Sequence, residues 1–319
     1  MDNSVRDNGA VEHSNQQASK PIVSFGIPVR NGEKFLPRLF ESFLAQDFEN
    51  FEVVIGDNLS DDRTEEICRE YARRDARIKY FRHPKNLGQS GNFNRVFELS
   101  QGKYFRWIGD DDWLEPAYTR KCVEFLDSHP NFMAVTTEQD HELPDGTLYY
   151  REFKGKRLDS PHTYERFCRM VWFMTADYGF IDPIYTMYRR EAILSTSGMR
   201  LVAAQDHVLA AELCLAGPFG HIPELLAHRY RPQRDVAAWE KTHKHYEMDN
   251  SNVLAKINTE ATFDMWEIIN AVPMPVWQKW LCAFAILRYV RCVVLSQVYG
   301  RLRARVRMRT RLRLALGKA

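Results

Sequence analysis

The sequence lacks any Cys-x-x-Cys pair. Its six cysteines, Cys68, Cys122, Cys168, Cys214, Cys282 and Cys292, stand far apart. Zinc-ribbon and dithiol-redox spacings are thereby excluded, and the cysteines read as small core residues in a reducing cytoplasm. No Gly-x-Gly-x-x-Gly turn is present where the first apolar run ends. That segment reads Gly26-Ile27-Pro28-Val29-Arg30-Asn31-Gly32, which excludes a dinucleotide-binding turn. A Walker-type Gly-Lys-Ser/Thr is also missing. No uncharged apolar stretch approaches the roughly 18 residues that a membrane-spanning helix needs. Residues 1–20 are polar and carry no secretory signal. Acidic residues are missing from the whole stretch beyond Glu267.

That last absence splits the charge. The net charge of +2 comes from 44 basic and 42 acidic residues. Eleven of the basic residues lie beyond Glu267. Among them are Lys279, Arg288, Arg291 and the alternating Arg301, Arg303, Arg305, Arg307, Arg309, Arg311 and Arg313. The rest of the chain holds 33 basic against 42 acidic residues. An acidic body with a basic tail implies that only the tail meets an anionic surface.

What remains is ordinary globular composition, 45% hydrophobic and 27% charged over 319 residues, enough for one large domain or two. Residues 1–20 are expected to be a disordered leader. From 21 to 235, short apolar runs alternate with helical periodicity. Strands are predicted over 22–27, 51–55, 78–81, 104–108 and 133–137. Helices are predicted over 34–46, 62–74, 91–100, 113–128, 164–174 and 206–216. Asp62 and Glu65 have the spacing of a capping pair. This alternation implies an α/β fold with a doubly wound, mostly parallel sheet. From 236 to 319 the pattern is helical only.

In open α/β sheets, ligands sit beyond the carboxyl ends of the strands. Polar residues gather there: Arg30-Asn31, Asp57-Asn58-Leu59-Ser60-Asp61 and Asp110-Asp111-Asp112. Adjacent carboxylates repel by on the order of 1 kcal/mol per pair at high dielectric, and by more where water is excluded. A hard cation, Mg²⁺ or Mn²⁺, reverses that sign and usually completes its shell with substrate phosphate. The plainer reading is an acidic turn capping a helix that starts near Trp113. The position after an apolar strand, beside Asp57 at a neighbouring strand end, favours the cation.

These motifs together resemble the inverting glycosyltransferases of family 2, which have the GT-A fold. The resemblance is carried by Val23–Gly32 with Pro28 and Asn31, Ser42-x-x-x-Gln46, and Phe51–Asp61 with Asp57, Ser60 and Asp61. Asn86-Leu87-Gly88 with Asn94, Gly102-Lys103-Tyr104 and Asp110-Asp111-Asp112-Trp113-Leu114 follow in the family's order. Leu59 stands where the family usually has Gly, and Gly109 where a longer motif often carries another Asp.

The resemblance implies a GT-A domain with a helical C-terminal extension, and roles by position. Asp57 would bond the nucleotide base, with Pro28 and Arg30 in the same pocket and Asn86 and Gly88 in the donor site. Asp110 would face the nucleotide sugar, and Asp110, Asp111 and Asp112 would form the metal-binding set. Ala204-Gln205-Asp206-His207 resembles the family's Glu-Asp pair at a helix start, with Gln205 in place of Glu. Asp206 would be the catalytic base, the alternative being an N-cap. His207 and Glu212 are expected to be structural. Arg229-Tyr230-Arg231 resembles a family Tyr-Arg that contacts phosphate or acceptor, with a surface ion pair as the alternative.

The implied reaction moves a sugar from a nucleotide-diphosphate sugar to an acceptor hydroxyl, carbohydrate or lipid-linked, in polysaccharide or glycoconjugate biosynthesis. Acceptor choice is expected from 140–203, where Trp172, Phe173, Asp177, Tyr178 and Tyr185 are candidates to meet sugar faces. Two other functions stay open. A sugar nucleotidyltransferase would need a Gly-rich basic loop after the first strand, which is missing. A non-catalytic nucleotide-sugar-binding protein is favoured by Gln205 and Leu59.

Over 277–298, Trp280, Ala283, Leu287, Val290, Val294 and Val298 recur at steps of three or four, interrupted by Arg288 and Arg291. This implies an amphipathic helix lying on a membrane or on the catalytic domain. The Arg-rich tail is expected against anionic lipid, with nucleic acid as the weaker rival. The expected location is cytoplasmic, peripheral on the inner face of the membrane.

Overall fold

The computed structural model of the chain describes residues 20–150, 156–176, 183–201, 204–231 and 253–292. The leader up to 19, Asp177, Tyr178 and the Arg-rich tail lie outside these residues.

Strands β1 (Val23–Val29), β2 (Phe51–Asp57), β3 (Ile78–Arg82) and β4 (Tyr104–Trp107) run parallel, with β1 between β2 and β4 and β3 outside β2. Both β1 and β2 are apolar and almost wholly buried, as strands covered on two faces must be. Helices α1 (Leu36–Leu44), α2 (Thr64–Arg74) and α3 (Gly88–Leu99) make the crossovers. Val29 pairs with Asp57 and Asp57 with Arg82, so these three strand ends are level. Gly26 pairs with Trp107, so counting on three residues brings Asp110 level with Val29.

The second half is mixed. It comprises β5 (Trp113–Leu114), α4 (Tyr118–Ser128), β6 (Ala134–Glu142), β7 (Leu148–Tyr150), α5 (Thr163–Ala176), β8 (Met187–Arg189), α6 (Arg190–Leu194), α7 (Gln205–Ala216) and β9 (Phe219–Tyr230). The sheet order is β3-β2-β1-β4-β8-β6-β9-β5, with β7 paired to β6. Strand β8 runs antiparallel to β4 and β6, and β9 runs parallel to β6 through a bulge at Glu138. The doubly wound expectation therefore holds, but the sheet is mixed rather than mostly parallel: β1–β2, β1–β4, β2–β3 and β6–β9 pair parallel, and the other four pairs are antiparallel.

The predicted helix over 113–128 is the main correction. Trp113 and Leu114 instead pair with His228 and Ala227 as strand β5, and the helix starts at Tyr118. Pro116 explains the delay, because the residue before proline is driven out of helical conformation. The Asp62–Glu65 capping pair is also modified. Asp62 accepts from the Thr64 amide at 2.9 Å, whereas Glu65 turns to Arg69 and Arg82.

Beyond 252 the described residues are helical: α8 (Val253–Ala271) and α9 over 276–292. Met265, Ile269, Cys282, Ile286 and Tyr289 are buried in the same core as Phe93, Phe167 and Leu209. Each such side chain contributes roughly 1.5–3 kcal/mol of burial, so the docking of these helices is well supported. Among the described residues no helix is long and apolar enough to cross a membrane. All six cysteines are free thiols, four of them buried.

Candidate active site

The acidic turn Asp110-Asp111-Asp112 leaves β4 and enters β5, so it caps no helix. It occupies the crevice between β1 and β4, where the order of the parallel strands reverses and open α/β sheets bind ligands. Several local features hold it there. Gln46, buried at the end of α1, donates from Nε2 to the Glu115 carbonyl at 2.9 Å. Its Oε1 accepts from the Thr119 amide at 3.1 Å and the Thr119 hydroxyl at 2.6 Å. The side chain thus pins α1 to the segment that follows the acids. A Cβ on Gly32 would lie 2.7 Å from the Asp110 carboxylate, so the turn after β1 approaches the acids only as glycine.

The charges in this turn are under strain. Burial, with the neighbouring Asp112 and Asp62, pushes Asp110 up to about 6. Burial, then Asp112 and Asp110, pushes Asp111 up to about 7, with Arg229 acting in the opposite direction. Asp112 is buried, and its Oδ1 makes no hydrogen bond. Its Oδ2 lies 3.4 Å from the Gly109 amide and 3.5 Å from Nε of Arg229. Among the described residues no three acidic, histidine or cysteine side chains form a ready-made metal cage. The all-oxygen donor set and the unsatisfied Asp112 oxygen nonetheless fit a hard cation that takes part of its shell from substrate phosphate.

Arg229 enters the site from β9, 117 residues after Asp112. Its guanidinium also lies 4.3 Å from the centroid of the Tyr185 ring. Next to it, His228 is sandwiched in a buried network. Its Nδ1 lies 2.7 Å from Asp140 and its Nε2 2.9 Å from Glu115, and its ring stacks on Trp113 at 4.9 Å. Arg38 covers the same Trp113 ring and pairs with Glu142. Of this group the sequence singled out Arg229, within Arg229-Tyr230-Arg231. The contacts of His228 depend on β9 lying between β5 and β6.

At the end of β2, Asp57 is fully buried. It accepts from the Ser60 amide at 2.8 Å and the Tyr80 hydroxyl at 2.5 Å, with Arg82 3.5 Å away. Leu59 has φ +63, the left-handed conformation for which glycine is favoured, so the loop keeps that shape without glycine. Asn58 ties this loop to Asn86, Leu87 and Gly88 through bonds of 2.8, 2.7 and 3.2 Å. Pro28 is half-buried, and Arg30 and Asn86 are exposed at the same edge. The structure therefore gathers Pro28, Arg30, Asp57, Asn86 and Gly88 along one rim.

Asp206 lies in the first turn of α7 and is exposed. The cap position belongs to Ala204, at φ +57 and with no side-chain capping bond, so the N-cap alternative for Asp206 is overturned. No hydrogen bond or ion pair joins Asp206 to the acidic turn among the described residues. The turn itself is clamped from several sides. Asn94 of α3 donates to the Met199 carbonyl at 2.9 Å and accepts from its amide at 2.8 Å. Ser90 donates to Gln205 and, at 3.0 Å, to the Arg200 carbonyl. Arg200 pairs with Glu212 and Asp264, and Nδ1 of His207 lies 2.8 Å from the Tyr289 hydroxyl. His207 and Glu212 are structural, as expected. Of the aromatic candidates, Phe173 is buried, and Trp172 and Tyr185 are partly buried against the same core, with Tyr185 under Arg229.

A model of the family described as glycosyl transferase family 2 matches residues 24–193, more than half of the chain. The chain belongs to that family. An uncharacterized glycosyltransferase of Methanocaldococcus jannaschii is 29% identical to it over 227 residues, covering 69% of this chain and 74% of that protein. The glycosyltransferase GlyA of Streptococcus pneumoniae is 28% identical over 124 residues, covering 39% of this chain. The family 2 chain spans only 18% of GlyA and 15% of a matching Sinorhizobium fredii protein. Among solved structures, Staphylococcus aureus TarS matches with a TM-score of 0.63 at 16% identity, over 84% of this chain and 71% of that chain. TarS in complex with UDP-GlcNAc matches with a TM-score of 0.62 at 17% identity, over 81% and 69%. The shared fold is GT-A.

Proposed function

We propose that this family 2 chain is an inverting glycosyltransferase. It moves a sugar from a nucleotide-diphosphate sugar to an acceptor hydroxyl, carbohydrate or lipid-linked, in polysaccharide or glycoconjugate biosynthesis. The observation that carries this reading is the half-buried acidic turn at the strand-order reversal, with an unsatisfied oxygen on its buried Asp112 and Arg229 against it. The turn suits a diphosphate delivered with its cation.

In this reading the rim of Pro28, Arg30, Asp57, Asn86 and Gly88 receives the nucleotide. Asp57 acts largely by shaping the loop, since both its oxygens already have partners. Asp110 would face the donor sugar, and Asp110, Asp111 and Asp112 would hold Mg²⁺ or Mn²⁺ once the donor diphosphate completes its shell. The bound cation supplies Lewis-acid stabilisation of charge on the departing diphosphate. Arg229 balances Asp112 and adds positive charge on the same side. Asp206 accepts the proton of the acceptor hydroxyl. An ordinary carboxylate is a weak base for an alcohol, so that transfer comes late, as the new bond forms. Attack from the side opposite the leaving group inverts the anomeric centre.

Two observations weigh against the non-catalytic alternative. Gln205 is engaged with Ser90 in holding the turn, and Leu59 preserves the loop geometry. Asp206→Asn tests the proposal. It is expected to retain nucleotide-sugar binding and lose transfer by about 10²–10⁴-fold, and an active variant removes the assignment. A thermal-shift screen of donors with Mn²⁺ identifies the sugar, and chelation is expected to abolish turnover. The location proposed is cytoplasmic, with residues 277–319 toward an anionic membrane surface.

A further inference from the structure

Helix α9 has two unlike faces. Cys282, Ile286 and Tyr289 pack into the core. Trp277, Trp280, Phe284 and Leu287, at steps of three and four, are 56%, 63%, 64% and 62% exposed. That spacing makes one stripe along the side opposite the core. Phe263 and Trp266 on α8 and Val276 at the start of α9 are exposed too. Scattered apolar side chains on a surface are ordinary, whereas rows of this length mark an interaction face.

Charge selects the partner. Arg288 and Arg291 continue the exposed side of α9, whereas Lys279 is half-buried and donates to the Asn270 carbonyl at 2.7 Å. Seven arginines follow over 301–313 in the sequence, with no acid after Glu267. On α8, Glu267 is exposed and Glu260 half-exposed against this charge, while Asp264 is paired with Arg200 at 3.4 Å. The balance is strongly positive. Tryptophan and phenylalanine on one face with basic residues beside them suit the headgroup boundary of a bilayer, and no described helix can cross one.

We propose that α8 and α9 form a membrane-docking face. Trp277, Trp280, Phe284 and Leu287 enter the boundary between headgroups and acyl chains, and Arg288 and Arg291 pair with anionic lipid. This holds whatever the donor or acceptor, so donor cleavage without lipid tests catalysis separately.

Sedimentation of the full chain with phosphatidylcholine vesicles, with and without phosphatidylglycerol, tests it. Binding is expected with the anionic vesicles and is expected to weaken with salt. Trp277→Ser/Trp280→Ser/Phe284→Ser/Leu287→Ser is expected to lower partitioning at least about tenfold. These side chains are exposed, so its unfolding temperature should match the parent's. Trp280→Ser alone serves if it does not. Arg288→Gln/Arg291→Gln is expected to weaken the preference for anionic lipid. Unchanged partitioning of the apolar variant overturns the proposal. So does a parent that binds single-stranded nucleic acid but no vesicles, or an apolar variant that converts a parent dimer to monomer without affecting lipid.

Discussion

Nδ1 of His207 lies 2.8 Å from the hydroxyl of Tyr289, joining the first turn of α7 to a helix 82 residues further along the chain. Tyr289 is buried, and its phenol is pushed well above the usual range by burial and then by the charge of Asp206. The C-terminal helix thus reaches the residue next to the one assigned as base. Tyr289→Phe keeps the ring and removes the bond. Its expected effect is a fall in kcat of about tenfold with donor KM unchanged, and a stability loss of about 1 kcal/mol. A change in KM alone would assign Tyr289 to donor binding.

Asp112 and Arg229 make a second testable pair. Arg229→Met leaves a buried carboxylate without its cation, at an expected cost of about 1–3 kcal/mol. Mn²⁺ should restore part of that loss if the carboxylate holds the metal. Asp112→Asn should instead abolish the rise in unfolding temperature that Mn²⁺ produces in the parent. Equal Mn²⁺ responses in all three proteins would remove Asp112 from the metal set.

Leu59 sits at φ +63, which costs a side-chain-bearing residue roughly 1 kcal/mol or more. Leu59→Gly is expected to raise the unfolding temperature modestly, because the relief exceeds the added freedom of the unfolded chain. Leu59→Val should lower it, since branching at Cβ worsens the same clash. Calorimetry on the three proteins decides.

His228 gives a pH dependence of known sign. Burial opposes its charge, but hydrogen bonds and charge from Asp140 and Glu115 outweigh that and raise its pKa in the fold. Stability from this group is therefore fully present below the unfolded value of about 6.5 and is lost as pH rises through the higher folded value. His228→Gln should be destabilised most at pH 5.5 and least at pH 9 relative to the parent. A penalty that does not shrink with rising pH would mean that His228 acts by shape alone.

The parallel half of the fold and its strand ends were legible because local signals agree there. Buried runs such as Val53–Ile55 end in Asp57, and Trp107–Ile108 ends in the acidic turn. Positions such as Gln46, Asn94 and Gly102 were visible as motif residues, but their work was not. Gln46 reaches Glu115 and Thr119, Asn94 reaches Met199, and Gly102 lies against the Ser24 backbone. Such contacts join segments dozens of residues apart, and periodicity carries no trace of them. The helical reading of Trp113 failed for the same reason, since only pairing with β9 makes that dipeptide a strand. Arg229 stood out in the sequence as part of Arg229-Tyr230-Arg231, but its partner Asp112 and the role of His228 were hidden until β9 had a place in the sheet.

The sharing of one core by Phe93, Met265 and Ile286 has a consequence for the order of events in synthesis. Hydrophobic surface that α3 and α5 present early in translation stays uncovered until a stretch nearly two hundred residues downstream of α3 has been made. Until then the nascent chain carries an open flank, a natural docking point for chaperones and a liability for aggregation. Cutting the gene at the end of the family-matched segment, residue 193, would freeze the protein in that half-closed condition.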